Sequence, residues 1–223
     1  MPQPSWDADK QRASLSGFAR LRAVLWPRSL RLMEWLQLGR HRWYRRLRRK
    51  LWLSFRGMDL HSKERLDDEA CIYGATPTIT LVKLLELAKS LLPEHPRVFL
   101  DLGSGTGELC LAASALGYRA VGMEREPLWV DAGNRIAAEL NLPCEFVAGD
   151  FLQQEWPDSA LVFVVATAFS EQMRSEIFTR FRALGEGSLL LAGDWELGDE
   201  TTKIWEGDLP VEWGVITFRL YRR

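Results

Sequence analysis

Downstream of residue 66 the apolar positions fall alternately into short continuous runs and into longer runs at helical spacing. Ile79 to Leu92 predicts a helix, opened by Thr76 as N-cap with Pro77 at the first helical position and stopped by Pro93 and Pro96. Arg97–Leu102 then predicts a buried strand, 107–117 a helix and Arg119–Glu124 the next strand. The alternation continues through a helix over 127–141, strands at Cys144–Ala148 and Ala160–Val165, a helix over Ser170–Leu184 and a strand at Ser188–Ala192. Trp205 to Tyr221 ends the chain as an antiparallel pair, with Val215, Thr217 and Arg219 facing away from Ile216, Phe218 and Leu220. This order predicts a doubly wound, mostly parallel, seven-stranded Rossmann-like α/β sheet, whose ligands sit beyond the carboxyl ends of its strands.

Upstream the pattern differs. Trp43, Leu47 and Leu51 recur at i, i+4 and i+8, and Arg42, Arg45, Arg46, Arg48 and Arg49 fill much of the remaining circumference. The spacing predicts a basic amphipathic helix, separated by Pro27 from an earlier helix containing Leu21, Val24 and Leu25. Two units follow: a basic helical extension over 1–65 and a sheet-forming domain over 66–223.

Charge sharpens that division. The formal net charge is −1, but residues 1–65 hold 16 Lys and Arg against 5 Asp and Glu, whereas 66–223 hold 13 against 25. The extension is therefore matched to something acidic: RNA or another nucleic acid, an anionic membrane, or the body of the protein itself. Because the sheet and its loops start after residue 96, residues 1–56 are expected to be dispensable for the pocket, although Trp35, Trp43, Trp52 and Phe55 are a large apolar load for a free tail. Arginines interrupt every apolar stretch in the first 60 residues, so no spanning helix is expected, and no secretory signal is recognisable. Cys71, Cys110 and Cys144 form no CxxC pair and point to a reducing, cytoplasmic setting. His41, His61 and His95 have no partner at metal-ligand spacing, so no metal is expected. Glu196, Asp199 and Glu200 read as a solvated acidic loop.

The chemistry concentrates where the first strand ends, at Asp101-Leu102-Gly103-Ser104-Gly105-Thr106-Gly107. Glycines at 103, 105 and 107 let backbone approach a ligand closely, and Glu124 ends the second strand where a carboxylate can hold ribose hydroxyls. Asp101 separates the cofactors: a carboxylate aimed into the pocket repels a dinucleotide pyrophosphate but attracts an ammonium. Asp150 ends the next strand region, placed to accept a hydrogen bond from an adenine amino group with Phe151 beside the ring.

Asp-Leu-Gly-Ser-Gly-Thr-Gly resembles the first motif of the class I, seven-strand methyltransferases, and the resemblance spans roughly residues 70–221. It implies S-adenosyl-L-methionine as cofactor, bound by Tyr73, Asp101, Gly103, Ser104, Gly105, Thr106, Gly107, Glu124, Asp150 and Phe151. Within that superfamily, Tyr73-Gly74, the segment Val162–Ser170 and Val211-Glu-Trp213 resemble the disruptor-of-telomeric-silencing type of protein-lysine methyltransferase and its bacterial relatives. That implies a lid at Tyr73 and a protein lysine or similar amine as acceptor, the alternatives being a small molecule or a non-catalytic cofactor-binding adaptor. The chain departs from that pattern where paired asparagines are expected, reading Val165, Ala166 and Thr167, and at the last-strand tyrosine pair, reading Phe218 and Arg219. Thr167, Phe169 and Trp213, with Trp195, are the expected acceptor-side residues.

Overall fold

The computed structural model describes residues 17–56, 74–198 and 201–223. Its helices are α1 (Gly17–Leu38), α2 (Arg42–Phe55), α3 (Thr78–Leu91), α4 (Glu108–Ala115), α5 (Pro127–Leu140) and α6 (Glu171–Ala183). Its strands are β1 (Val98–Leu102), β2 (Arg119–Glu124), β3 (Cys144–Ala148), β4 (Leu161–Val165), β5 (Leu189–Gly193), β6 (Thr202–Val211) and β7 (Gly214–Arg222). They form one seven-stranded sheet in the order β3-β2-β1-β4-β5-β7-β6. Only β7 opposes its neighbours β5 and β6; every other pairing is parallel.

Period-two alternation sends side chains to two cores. Phe99, Ala120, Phe146, Leu161, Phe163, Leu189, Leu191, Phe218 and Leu220 point to one face, where α2, α3, α4 and α5 cover them. Leu100, Leu102, Val121, Met123, Val162, Val164, Leu190 and Ala192 point to the other, which α6 closes with Ile177 and Phe181. Both faces being covered explains why the strands read as near-continuous apolar runs.

The extension departs from the sequence expectation in two places. Pro27 does not separate helices; α1 runs through it, and the break comes at Gly39. An internal proline costs a helix about 3 kcal/mol. Tertiary anchors on either side offset that cost: the Trp26 indole N–H donates to the Val211 carbonyl at 2.8 Å, and Leu30 is fully buried. Arg45 then donates to the Gly39 carbonyl at 2.9 Å, satisfying an acceptor left by the end of α1. The second departure is at α3, which starts at Thr78 with Pro77 as the flanking residue and no side-chain cap from its own segment. The cap comes from α1 instead: the Ile79 amide donates to the Glu34 carboxylate at 3.1 Å.

The extension and the sheet share a core. Leu47, Leu51 and Phe55 of α2 belong to the same buried cluster as Phe99, Leu111 and Phe163. Ion pairs cross the same boundary, Arg48 with Glu108 at 2.7 Å and Lys50 with Glu139. Arg31 likewise pairs with Glu212 at 3.1 Å, so three of the extension's basic side chains meet the acidic body of the same chain.

Candidate cofactor and acceptor site

Parallel strands end together, and the chain reverses direction between β1 and β4, so loops diverge there and open a crevice. The glycine loop follows β1, Glu124 ends β2, Asp150 follows β3, Thr167 and Phe169 follow β4, and Trp195 follows β5. Because β7 pairs antiparallel with β5, with Gly193 opposite Phe218, the β6–β7 tip carrying Trp213 projects past the same edge. Every candidate site residue within the described part of the chain thus lies at one end of the sheet. Tyr73 lies outside the described residues, as do His61, Cys71, Asp199 and Glu200.

The loop is held by β2. The amides of Gly103 and Ser104 donate to the Met123 carbonyl at 2.9 and 3.0 Å, and the Gly105 amide donates to the Glu124 carboxylate at 2.7 Å. The other Glu124 oxygen accepts from the Glu126 amide at 3.0 Å. A carboxylate has about four lone-pair positions, so Glu124 keeps capacity for hydroxyl donors while shaping the loop. Two glycines have separate reasons. Gly103 takes φ +80° with open space where a β-carbon would stand, so backbone conformation alone selects it. Gly107 takes φ +78° and would also place a β-carbon 2.5 Å from the Phe146 ring. Gly107 therefore serves close packing as well as the turn.

Asp101 is 4% exposed on the face covered by α4. The Cys110 thiol donates to it at 3.8 Å, and among the described residues no cation pairs with it. Burial, and then the nearby Glu124 carboxylate, push its carboxyl up to about 7. Among the described residues the buried Ser104 hydroxyl has no hydrogen-bond partner. An unpaired buried carboxylate beside an unsatisfied hydroxyl, at the crevice of a doubly wound sheet, fits a cationic group and not a phosphate.

The remaining candidates divide between exposed polar positions and buried or half-buried rings. Asp150 accepts from the Leu152 amide at 2.9 Å, closing a turn while the residue stays exposed. The Phe151 ring is buried and packs against Phe169 at 5.7 Å between centroids. Phe169 and Trp195 both sit in the core on the α6 side. Thr167 is exposed. Trp213 lies over Gly74, so close that a β-carbon there would stand 2.5 Å from Cζ3. The Phe218 ring, at the departed tyrosine position, is fully buried in the sheet core.

Three features went unread in the sequence. The first is the Cys110 thiol beside Asp101, which in the sequence is only a spacing of nine residues with no pattern of its own. The second is a polar network behind the loop: Arg48 donates to both Glu108 oxygens at 2.7 Å, and Thr78 donates to Glu108 at 2.5 Å. Glu34 also accepts from the Tyr44 hydroxyl at 2.7 Å. The third is a cavity of about 270 Å³ between the extension and the loop, with Arg31, Glu34, Arg48, Trp52, Thr106 and Glu108 in its walls. None of Thr167, Phe169, Trp195 and Trp213 lines that cavity.

Residues 99–185 match the methyltransferase-domain family model. The fold is that of the S-adenosylmethionine-dependent class I methyltransferases. Similar solved structures include an RNA methyltransferase from Salinibacter ruber in complex with S-adenosyl-L-homocysteine, 24% identical with a TM-score of 0.51, covering 66% of this chain and 92% of that one. A putative RNA methyltransferase from Pyrococcus horikoshii is 15% identical with a TM-score of 0.55, covering 76% and 91%. The magnesium protoporphyrin IX methyltransferase of Synechocystis PCC 6803 is 11% identical with a TM-score of 0.54, covering 66% and 82%. A comparison with curated protein sequences finds no match. The matched segment holds the glycine loop, Asp101, Glu124, Asp150 and the segment after β4. Among the described residues no cluster of metal-ligating side chains is found, and no helix is long and apolar enough to cross a membrane.

Proposed function

We propose that the protein transfers a methyl group from S-adenosyl-L-methionine to a protein lysine or similar amine. The observation that carries the cofactor assignment is Asp101, a buried carboxylate with no cation among the described residues. When bound, the cofactor supplies an already activated sulfonium methyl. Asp101 accepts from its ammonium, Ser104 offers a hydroxyl, Glu124 holds the ribose, and Asp150 receives the adenine amino group. The domain then has to orient the acceptor and exclude water; alignment alone is worth roughly 7–11 kcal/mol in favourable cases. An amine acceptor must lose its proton, and the apolar surroundings of Phe169 and Trp195 favour the neutral form. Tyr73 is assigned to a lid and Trp213 to the acceptor side on the family resemblance.

A small-molecule acceptor is the second reading, favoured by the cavity of about 270 Å³ beside Thr106. Incubating a cell extract with the protein and cofactor labelled on the methyl group separates the two. Label in the protein fraction, in acid-stable form on lysine, is the expected result. Label confined to small molecules selects the second reading, label in RNA rejects both, and no label leaves a cofactor-binding adaptor.

A further inference from the structure

The two extension helices bury one side each and present the other outward, with different chemistry. On α1 the buried row is Leu30, Glu34 and Leu38. At 100° per residue, Leu25, Leu32 and Leu36 lie within about 40° of one another and about 180° from that row. They are 49%, 58% and 64% exposed, and Trp35 at their margin is 59% exposed. On α2 the buried row is Tyr44, Leu47, Leu51 and Phe55. Its opposite side carries Arg42, Arg46, Arg49 and Leu53, flanked by Trp52, which is 62% exposed. Arg42, Arg46 and Arg49 form no ion pair with any of the described residues, unlike Arg31, Arg48 and Lys50.

We propose that the outward sides of α1 and α2 dock on an anionic lipid surface, with the α1 leucines entering the headgroup–acyl boundary and the α2 arginines on lipid phosphates. Aliphatic side chains, interfacial tryptophans and unpaired arginines together are the chemistry of a helix lying in the plane of a membrane interface. RNA matches this surface less well: phosphates engage the arginines, but Leu25, Leu32 and Leu36 stay in water and stack on no base. Neither helix crosses the bilayer, since no helix among the described residues is apolar enough. Docking here goes beyond methyl transfer and does not depend on it.

Flotation of the full chain with vesicles tests the proposal. The protein should float with phosphatidylglycerol mixed into phosphatidylcholine and stay behind with phosphatidylcholine alone. Leu32→Glu with Leu36→Glu should reduce the bound fraction roughly tenfold or more, and so should Arg42→Glu with Arg46→Glu and Arg49→Glu. Because these positions are exposed, unchanged melting of the variants separates lost docking from lost folding. Failure to float with anionic vesicles overturns the proposal. So does flotation that ignores the leucine changes, binding to single-stranded RNA in preference to vesicles, or a dimer of the chain that the leucine changes dissociate.

Discussion

Among the described residues two carboxylates are buried, 4% and 3% exposed, and they are treated in opposite ways. Asp101, in the crevice, has a weak thiol donor and no cation among the described residues. Glu34, where the extension meets α3, accepts from the Tyr44 hydroxyl and the Ile79 amide. Burial raises both carboxyls above their ordinary values, with Glu124 adding to it at Asp101 and Glu108 at Glu34. Depth and a shifted pKa therefore do not distinguish a ligand-binding acid from a structural one. Under the proposed function the difference is hydrogen-bond saturation: Asp101 keeps lone pairs for a partner from outside, while Glu34 already has two strong donors.

The strongest way to break this comparison is to remove the second region entirely. A chain starting at Leu60 loses Leu47, Leu51 and Phe55 from the core, together worth about 5–9 kcal/mol at roughly 1.5–3 kcal/mol each. That is comparable with the whole stability of a domain, about 5–15 kcal/mol. The truncated chain should be insoluble or melt without cooperativity by calorimetry. A soluble truncation with near-native affinity for S-adenosylhomocysteine would restore the extension to a separable unit.

A crossed pair of substitutions sharpens it. Asp101→Ala should weaken S-adenosylhomocysteine binding about 10–150-fold, the equivalent of roughly 1.5–3 kcal/mol for a charge-assisted bond, without lowering the melting temperature. Glu34→Ala should do the reverse, costing about 1–3 kcal/mol of stability by leaving the Tyr44 hydroxyl and the Ile79 amide unsatisfied. Titration calorimetry and thermal melting of both proteins give the four numbers. If both substitutions move the same observable, saturation is not the distinguishing property.

The smallest effect is graded by pH. The Asp101 carboxyl titrates at about 7 in the folded protein, above its ordinary value of 3.8. A raised acid pKa means the folded chain holds the extra proton between those values, so this group's contribution to stability is full below the lower one. It is lost as pH rises through about 7. Binding an ammonium needs the ionised form, so affinity should climb by up to about tenfold per pH unit below 7 and level off above it. Asp101→Asn should flatten both slopes, and affinity independent of pH in the unaltered protein would remove Asp101 from the cofactor site.

What could be read in the sequence was whatever is repeated or local. The bounds of β2 and β3, the glycine loop and Glu124 follow from period two and from residues adjacent in the chain. The helix expected over Ser170–Leu184 is α6, and Ser170 stands just outside it as its cap, accepting from the Met173 amide at 3.2 Å. What escaped depends on partners far away. Local pattern makes Thr76 the cap, but the α3 amide is met by Glu34, 45 residues upstream. It makes Pro27 a helix breaker, because the support beside it lies at Val211. It reserves Gly107 for a ligand, and the ring of Phe146 claims its space as well. The charge division was real, but burial settled where Arg48 and Lys50 went, and composition does not report burial.

The bond from Trp26 to Val211 spans 185 residues, and Arg31 reaches Glu212 across 181. Synthesis proceeds at about 5–20 residues per second, so α1 leaves the ribosome roughly 10–40 s before its last anchor exists. Throughout that interval its leucines lack the company of the finished domain. The first of the described helices is among the last secured, and until Val211 and Glu212 are made its cationic, leucine-bearing surface travels without them.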